Sequence, residues 1–182
     1  MSPPTSTRSQ PPSDAILLRQ GTSEIPAISL VAMTPEIAAR LGPSFADMDP
    51  WARLGFSASA LTHYFAMPEP GAPRYAVQVG EAIAGAAGFR TAWLRGPYLQ
   101  FLGLLTPYQA QSLGPLVLAW FEGQARARGE RNLWVAASDF NTAAIGFYER
   151  HGFHRAALFE DLIADGYSEI LLRKRLLPLD VA

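Results

Sequence analysis

The chain has 182 residues, enough for one domain with a full hydrophobic core, and its composition (49% apolar, 17% charged) is typical of a globular protein. A net charge of −1 gives no basic excess for binding nucleic acid or an acidic membrane surface. The absence of cysteine excludes disulfides, zinc–thiolate sites and a cysteine nucleophile. His63, His151 and His154 do not have metal-ligand spacing, so we expect no metal site.

The N-terminal segment differs in composition from the rest of the chain. Its first fourteen residues contain four prolines and four serines, and they lack the apolar segment of a secretory signal. No apolar run in the chain approaches the ~18–20 residues of a membrane span. We therefore expect a disordered tail over residues 1–25, one domain over residues 26–182, and a cytoplasmic location.

The first half of the domain contains clear helix and turn signals. Thr34 and Pro35 are suited to the cap and the first position of a helix, and Gly80-Glu81 is suited to a hairpin turn. The predicted elements are, in chain order, a strand at 27–33, a helix from Pro35, a loop or broken helix at 41–56, a helix at 57–67 and a hairpin at 74–90.

The second half alternates strands with helices. The predicted elements are a strand at 98–105, a helix at 113–129, a strand at 132–138, a helix at 141–152 and two final strands at 154–161 and 167–176. Together with the first half, this order predicts one α/β domain with a single strand–helix–strand crossover.

The helix in NTAAIGFYERHGF combines good capping residues with an unexpected hydroxyl. Asn141 is a favourable N-cap, and Gly152 suits the left-handed position after the last turn. Ala144, Phe147 and Tyr148 share one face by their spacing. Tyr148 is therefore either a core tyrosine with its hydroxyl at an edge or a tyrosine whose hydroxyl has a chemical role.

The segment TPYQAQSLGPL joins a predicted strand to a predicted helix. Its small residues Ala110, Ser112 and Gly114 allow the backbone to turn tightly and to approach a ligand, and Pro115 suits the first helical position. Free N–H groups at a helix N-terminus form an anion site suited to a pyrophosphate. Small residues are also common in ordinary strand-to-helix turns, so this segment alone does not decide between the two interpretations.

Together the two segments resemble the GNAT acetyltransferase superfamily, over residues 26–176. The family turn, Arg/Gln-x-x-Gly-x-Gly/Ala, corresponds here to Gln109, Ser112 and Gly114, with serine in place of the usual glycine and a turn that is one residue short. The later family pattern Asn-x-x-Ala-x-x-Phe-Tyr-x-x-x-Gly-Phe is matched without a gap by Asn141, Ala144, Phe147, Tyr148, Gly152 and Phe153.

The resemblance implies a fold and a set of cofactor contacts. The fold is a mixed, mostly antiparallel sheet flanked by helices, in which the parallel strands 98–105 and 132–138 splay apart to admit acetyl-coenzyme A. Tyr148 would be the general acid that protonates the departing coenzyme A thiolate. The cofactor contacts implied by the resemblance involve Leu102, Leu104, Leu105, Gln109, Ala110, Gln111, Ser112, Leu113, Gly114, Asn141, Ala144 and Phe147.

The function that the resemblance implies is transfer of an acetyl group to a primary amine, on a small molecule or a peptide N-terminus, without a metal. A general base is not evident, because some members of the family carry a glutamate on the strand that corresponds to 132–138, and this strand has no carboxylate. The candidates elsewhere are Asp139, Glu160, Asp161 and His63. Each of them is more typical of a solvated surface group. The alternative is a degenerate module that binds acyl-coenzyme A without turnover.

The acceptor side is less defined by the sequence. In this family the acceptor is framed by the segments that correspond here to 47–56 and 160–167. Two copies of a family domain also often pair through their C-terminal strands, so we expect segment 169–179 to form a homodimer contact. Aromatic residues that could line the acceptor pocket, or that could be ordinary core and rim residues, are Trp51, Phe56, Tyr64, Trp93 and Tyr167.

Overall fold

The computed structural model describes residues 15–176, which form an eight-stranded sheet in the order β1-β2-β3-β4-β5-β6-β8-β7. The strands are β1 (Ile16–Arg19), β2 (Ile28–Ala32), β3 (Arg74–Val79), β4 (Ala82–Trp93), β5 (Gly96–Leu104), β6 (Asn132–Ser138), β7 (His154–Glu160) and β8 (Ser168–Arg175). The α-helices within this range are α1 (Pro35–Ala46), α2 (Ala58–Ala66), α3 (Leu113–Ala127) and α4 (Thr142–Arg150). None of these helices is long and apolar enough to cross a membrane.

The sheet is antiparallel except between β5 and β6, and this confirms the predicted mixed α/β fold. The parallel contact is short, because only Tyr98 with Trp134 and Leu99 with Val135 are paired. β5 continues to Leu104 and β6 continues to Ser138 without further pairing between them. The two strands therefore splay apart at their C-terminal ends, as the resemblance implied.

Two apolar clusters lie on opposite faces of the sheet. Ala86 and Ala87 are successive residues of β4 and belong to different clusters, because successive strand side chains point to opposite faces. Helices α1 and α2 cover one face, around Phe45 and Phe101, whose rings lie 5.1 Å apart edge-on. Helices α3 and α4 cover the other face, where Tyr148 packs within the larger cluster.

Helix α1 is longer than the sequence suggested. Thr34 caps it as predicted, but the helix continues through Gly42 and Pro43 to Ala46, so the prediction of a break at these residues is wrong. Burial of Leu41 and Phe45 in the core offsets the loss of the hydrogen bond that Pro43 cannot donate. Gly42 has a packing role, because a Cβ at this position would lie 2.7 Å from the Thr62 backbone nitrogen. The glycine lets α2 pack closely against α1.

Both ends of the described chain differ from expectation. β1 pairs with β2, so residues 16–19 belong to the sheet rather than to the predicted tail over 1–25; residues 1–14 lie outside the described range. β8 lies between β6 and β7, and both of its edges are occupied. The described part of 169–179 therefore cannot add a strand from another copy, and the open edge at this end of the sheet is β7.

Candidate active site

Two cavities meet where β5 and β6 diverge, and three residues, Leu102, Ala144 and Tyr148, line both of them. One cavity, of about 390 Å³, is called here the turn-side cavity; its other lining residues are Leu104, Gln109, Ala110, Ser112, Leu113, Gly114, Pro115 and Phe147. The second, of about 280 Å³, is called the loop-side cavity; its other lining residues are Pro50, Trp51, Leu54, Phe56, Leu61, Tyr64, Tyr98, Leu99, Gln100, Phe101, Ala136, Ala137, Ser138, Asn141, Ile163 and Glu169.

The turn before α3 has an unusual backbone conformation. Ala110 and Ser112 have positive φ angles of 62° and 59°, and Ser112 is the N-cap of α3 without a side-chain capping bond. Left-handed non-glycine residues are costly and concentrate at functional sites. Turns of this kind present successive N–H groups to an anion. The helix begins at Leu113, as the predicted segment 113–129 does, so Pro115 is the third helical residue and not the first as expected.

The C-terminal half of β5 offers backbone groups at the open edge of the splay. The Leu105 N–H donates to the Ala84 carbonyl, so Leu105 faces β4 and lies outside both cavities. Because residues of an antiparallel pair alternate in the side they bond, Leu102 and Leu104 face the gap instead. The Leu104 carbonyl accepts a bond of 3.1 Å from Gln109 Nε2. Of the three predicted leucines, two therefore have backbone groups that face the gap between β5 and β6.

Gln111 and Asn141 complete the predicted set, and neither lines the turn-side cavity. Gln111 Nε2 donates to the Pro107 carbonyl at 2.7 Å, which stabilises the turn from outside the cavity. Asn141 caps α4 as predicted, since its Oδ1 accepts from the Ala144 N–H at 3.1 Å, and it lines the loop-side cavity.

Tyr148 lies at the junction of the two cavities with only 7% of its surface exposed. Gly152 has φ 83°, the left-handed conformation that the sequence predicted, and the chain turns back so that the Phe153 ring packs against Tyr148. Burial, with a smaller contribution from Tyr98, holds the pKa of the Tyr148 hydroxyl well above its usual value of 10.0. The hydroxyl therefore keeps its proton at neutral pH.

Aromatic residues form much of the loop-side cavity, and only some were expected there. Trp51, Phe56 and Tyr64 line it, as the sequence analysis considered. Trp93 does not, because it packs against Tyr98 and Trp134 instead. Tyr167 does not line it either, and its ring packs edge-on against Phe140. The Arg53 guanidinium lies 4.1 Å from the centre of the Phe140 ring, and this contact joins segment 47–56 to the β7–β8 turn.

The carboxylate of the loop-side cavity, Glu169, was not predicted from the sequence. Glu169 is only 4% exposed, and its Oε1 accepts a hydrogen bond from Ser138 Oγ. The candidates considered from sequence, His63, Asp139, Glu160 and Asp161, are all exposed and do not line this cavity. A carboxylate beside the apolar run Ile170–Leu172 was the available signal, but its location depends on the pairing of β8 with β6.

The splayed strands and the two cavities agree with what a comparison with known protein families shows. Residues 38–153 match the family model described as the acetyltransferase (GNAT) family. The chain belongs to this family. It is therefore an acetyltransferase that uses acetyl-coenzyme A, and the resemblance found in the sequence is confirmed. Among residues 15–176, no group of three or more histidine and carboxylate side chains could hold a metal ion.

Solved GNAT structures have the same fold at low sequence identity. An acetyltransferase from Thermus thermophilus is 18% identical, with a TM-score of 0.67 over 82% of this chain and 97% of that one. The ribosomal-protein-S18-alanine N-acetyltransferase from Escherichia coli is 17% identical, with a TM-score of 0.64 over 85% and 98%. A GNAT acetyltransferase from Elizabethkingia anophelis, solved with acetyl-CoA bound, is 14% identical, with a TM-score of 0.53 over 59% and 78%. No curated protein matches the chain.

Proposed function

We propose that the protein transfers the acetyl group of acetyl-coenzyme A to a primary amine by direct attack, with Tyr148 as the general acid. The observation that carries this proposal is the position of Tyr148, which lines both cavities at the point where they meet. A group at this junction can reach a thioester that enters from one cavity and an amine that enters from the other. The proposal therefore assigns acetyl-coenzyme A to the turn-side cavity and the amine to the loop-side cavity.

The turn-side cavity fits a pyrophosphate and a pantetheine arm. The backbone amides of segment 109–114 would hold the pyrophosphate, with support from the N-terminus of α3. The edge of β5 at Leu102 and Leu104 would bond the amide groups of the arm, and Ala144 and Phe147 would pack against it. Asn141 would contact the arm from the loop side of the junction.

The chemistry uses one attack and one proton donation. The unprotonated amine nitrogen attacks the thioester carbonyl carbon, and the carbon–sulfur bond then breaks. Tyr148 donates its proton to the departing sulfur, a contribution commonly worth ~10²–10⁴ in rate. Its raised pKa keeps the hydroxyl protonated until negative charge develops on the sulfur beside it.

The alternative, a module that binds acyl-coenzyme A without turnover, rested on the serine in the turn and on the missing base. Ser112 adopts the left-handed conformation that a glycine would favour, so the substitution has not removed the turn. A buried carboxylate, Glu169, lines the loop-side cavity. Both observations support the enzyme.

The acceptor is proposed only as a class, a small-molecule amine or a peptide N-terminus. Aromatic walls support an acceptor with an apolar group beside its amine. The E. coli relative is named for an alanine of ribosomal protein S18, which supports including peptide N-termini among the tested acceptors.

We also propose a homodimer that forms through β7 rather than β8. β7 is an edge strand whose seven residues are all exposed, including Leu158 and Phe159. Open apolar edges favour pairing with another strand. Light scattering over a range of protein concentrations tests this proposal, and a monomer at every concentration would reject it.

The first experiment is a calorimetric titration with acetyl-coenzyme A, with dephospho-coenzyme A as comparison, followed by a screen of amines and peptides for acetylated product by mass spectrometry. We expect saturable one-to-one binding and product from at least one amine. Binding without product from any acceptor would favour the non-catalytic module. No binding at millimolar ligand would overturn the proposal entirely.

A further inference from the structure

A proton must leave the acceptor before the proposed attack. Alkylamines and peptide N-termini are largely protonated at neutral pH, since their pKa values are about 10 and 8. Only the unprotonated nitrogen has the lone pair that attacks a carbonyl carbon. We propose that Glu169 is the general base that removes this proton, and that its carboxylate first binds the acceptor as an ammonium ion. The inference rests on the proposed function, because it assigns the remaining step of that reaction.

The position of Glu169 fits this role. It lies near the start of β8, directly opposite Ser138 of β6 and Phe159 of β7. This places it where β6 diverges from β5, in the cavity that Tyr148 also lines. The proposed acid and base therefore line one cavity from two elements, α4 and β8, with the splay between them.

The surroundings of Glu169 make it a good proton acceptor. Burial is the largest influence and raises the pKa of the Glu169 carboxyl above its usual value of 4.5. The Ser138 hydroxyl donates a hydrogen bond that lowers this pKa, and the Asp139 carboxylate raises it. On β5, burial raises the pKa of Tyr98 to about 12, and the charge of Glu169 adds to this effect. Tyr98 in turn contributes to the raised pKa of Tyr148. A base with a raised pKa takes a proton from an ammonium more readily than a solvated carboxylate does.

Within residues 15–176, Glu169 also has no ion-pair partner. The ion pairs within residues 15–176 join other residues, and the described residues that line the loop-side cavity include no lysine, arginine or histidine. A buried carboxylate without a cation is costly, and a protonated amine would relieve that cost. The aromatic lining of this cavity, which includes Trp51 and Tyr98, would also attract an ammonium.

The proposed reaction transfers two protons from the acceptor nitrogen and one proton to sulfur. The acceptor ammonium gives one proton to the Glu169 carboxylate, and its freed lone pair forms the nitrogen–carbon bond to the thioester carbonyl. The carbon–sulfur bond breaks with its electron pair on sulfur, and Tyr148 protonates that sulfur. The second nitrogen proton returns to the Tyr148 oxygen as the amide forms. Glu169 then releases its proton to water, so the net products are an amide, coenzyme A and one proton.

The test compares two nucleophiles of similar shape that differ in protonation. Phenethylamine is an ammonium at neutral pH and needs a base, whereas O-benzylhydroxylamine is already unprotonated and does not. The variants are Glu169→Gln, which keeps an acceptor for the Ser138 hydroxyl, and Glu24→Gln, a matched control that removes an exposed carboxylate from the β1–β2 connection, outside both cavities. The readouts are kcat/KM for each nucleophile as a function of pH, acetyl-coenzyme A affinity, and Tm.

We expect Glu169→Gln to lower kcat/KM for phenethylamine about 100-fold at neutral pH, in line with the usual contribution of a general base, and to leave O-benzylhydroxylamine within a few-fold of wild type. Wild-type kcat/KM should fall as the pH drops through the raised pKa of Glu169, because the carboxylate must be ionised to act. The variant should lack this limb and regain activity at high pH, where free phenethylamine forms. Glu24→Gln should match wild type throughout.

Stability separates a catalytic role from a structural one. Because the pKa is raised in the folded state, ionisation of Glu169 at neutral pH favours unfolding, so Glu169→Gln should keep or raise Tm. Equal losses for both nucleophiles, or unchanged activity with phenethylamine, would overturn the role of Glu169 while leaving the acetyltransfer proposal standing. Failure of the wild-type enzyme to acetylate any amine would overturn both.

Discussion

The two cavities at the splay are built in different ways. The turn-side cavity is formed mostly by one continuous segment, 102–115, together with one face of α4, and it offers backbone groups. The loop-side cavity is assembled from the α1–α2 connection, β5, β6, α4 and the β7–β8 region, and it offers side chains. Among the described residues that line it, the one carboxylate, Glu169, is distant in sequence from the aromatic residues Trp51, Phe56 and Tyr64.

This difference has a chemical consequence. Backbone N–H groups recognise a phosphate whatever the side chains are, so a site built from them suits a ligand that does not change. A site built from side chains changes its preference with each substitution, which suits a variable acceptor. Substitutions at residues that line only the turn-side cavity should therefore alter acetyl-coenzyme A affinity. Substitutions at residues that line only the loop-side cavity should alter acceptor kinetics alone, except at Asn141, which is assigned a contact with the pantetheine arm.

The largest effect is expected at the junction. Tyr148→Phe should lower kcat by ~10²–10⁴, because the departing sulfur loses its proton donor, while acetyl-coenzyme A affinity changes little. Steady-state kinetics and calorimetry measure the two effects separately. Tyr75→Phe is the matched control, since Tyr75 is a partly buried tyrosine packed on Trp120 away from both cavities. Unchanged turnover in Tyr148→Phe would exclude Tyr148 from the chemistry.

A smaller effect is expected in the turn-side cavity. A Cβ at Gly114 would lie 3.3 Å from the Phe147 ring, which lines the turn-side cavity. Gly114→Val should therefore displace that ring and weaken acetyl-coenzyme A binding by about 10-fold, as overpacking of about 1–3 kcal/mol implies. Gly123→Val in the same helix is the control, because a Cβ there has nothing within 4 Å. Calorimetry measures both affinities, and Tm checks folding. Equal affinity in a folded Gly114→Val protein would contradict the assignment of the turn.

The same contrast explains what the sequence could predict. The turn, the Asn141 cap, the left-handed Gly152 and the face that carries Tyr148 depend on residues within one turn or one helix, so local spacing predicts them. The splay of β5 and β6 followed from the family resemblance carried by those two local motifs.

The remaining features depend on contacts between distant segments. Helix α1 passes through Pro43 because Phe45 is buried against α2 and β5, which local helix signals cannot show. The backbone of Leu105 is bonded to β4, and this follows only from the observed register. Glu169 reaches the loop-side cavity only because β8 is inserted between β6 and β7.

The smallest effect is expected at the rim of the loop-side cavity, where Arg53 holds segment 47–56 against the β7–β8 turn. Its guanidinium lies over Phe140 and 5.4 Å from the Tyr167 ring centre, and an exposed contact of this kind contributes about 0.5–1 kcal/mol. Arg53→Gln should therefore raise the acceptor KM by about 2- to 5-fold.

Acetyl-coenzyme A affinity should not change in Arg53→Gln, because the contact joins only segments of the acceptor side. Arg40→Gln removes an exposed arginine from α1 and controls for the loss of charge. Steady-state kinetics with the acceptor varied at saturating acetyl-coenzyme A measure the shift. If Arg53→Gln weakened acetyl-coenzyme A binding as much as it raised the acceptor KM, the two cavities would be coupled through the rim. Their separation into a backbone-built cofactor site and a side-chain-built acceptor site would then be wrong.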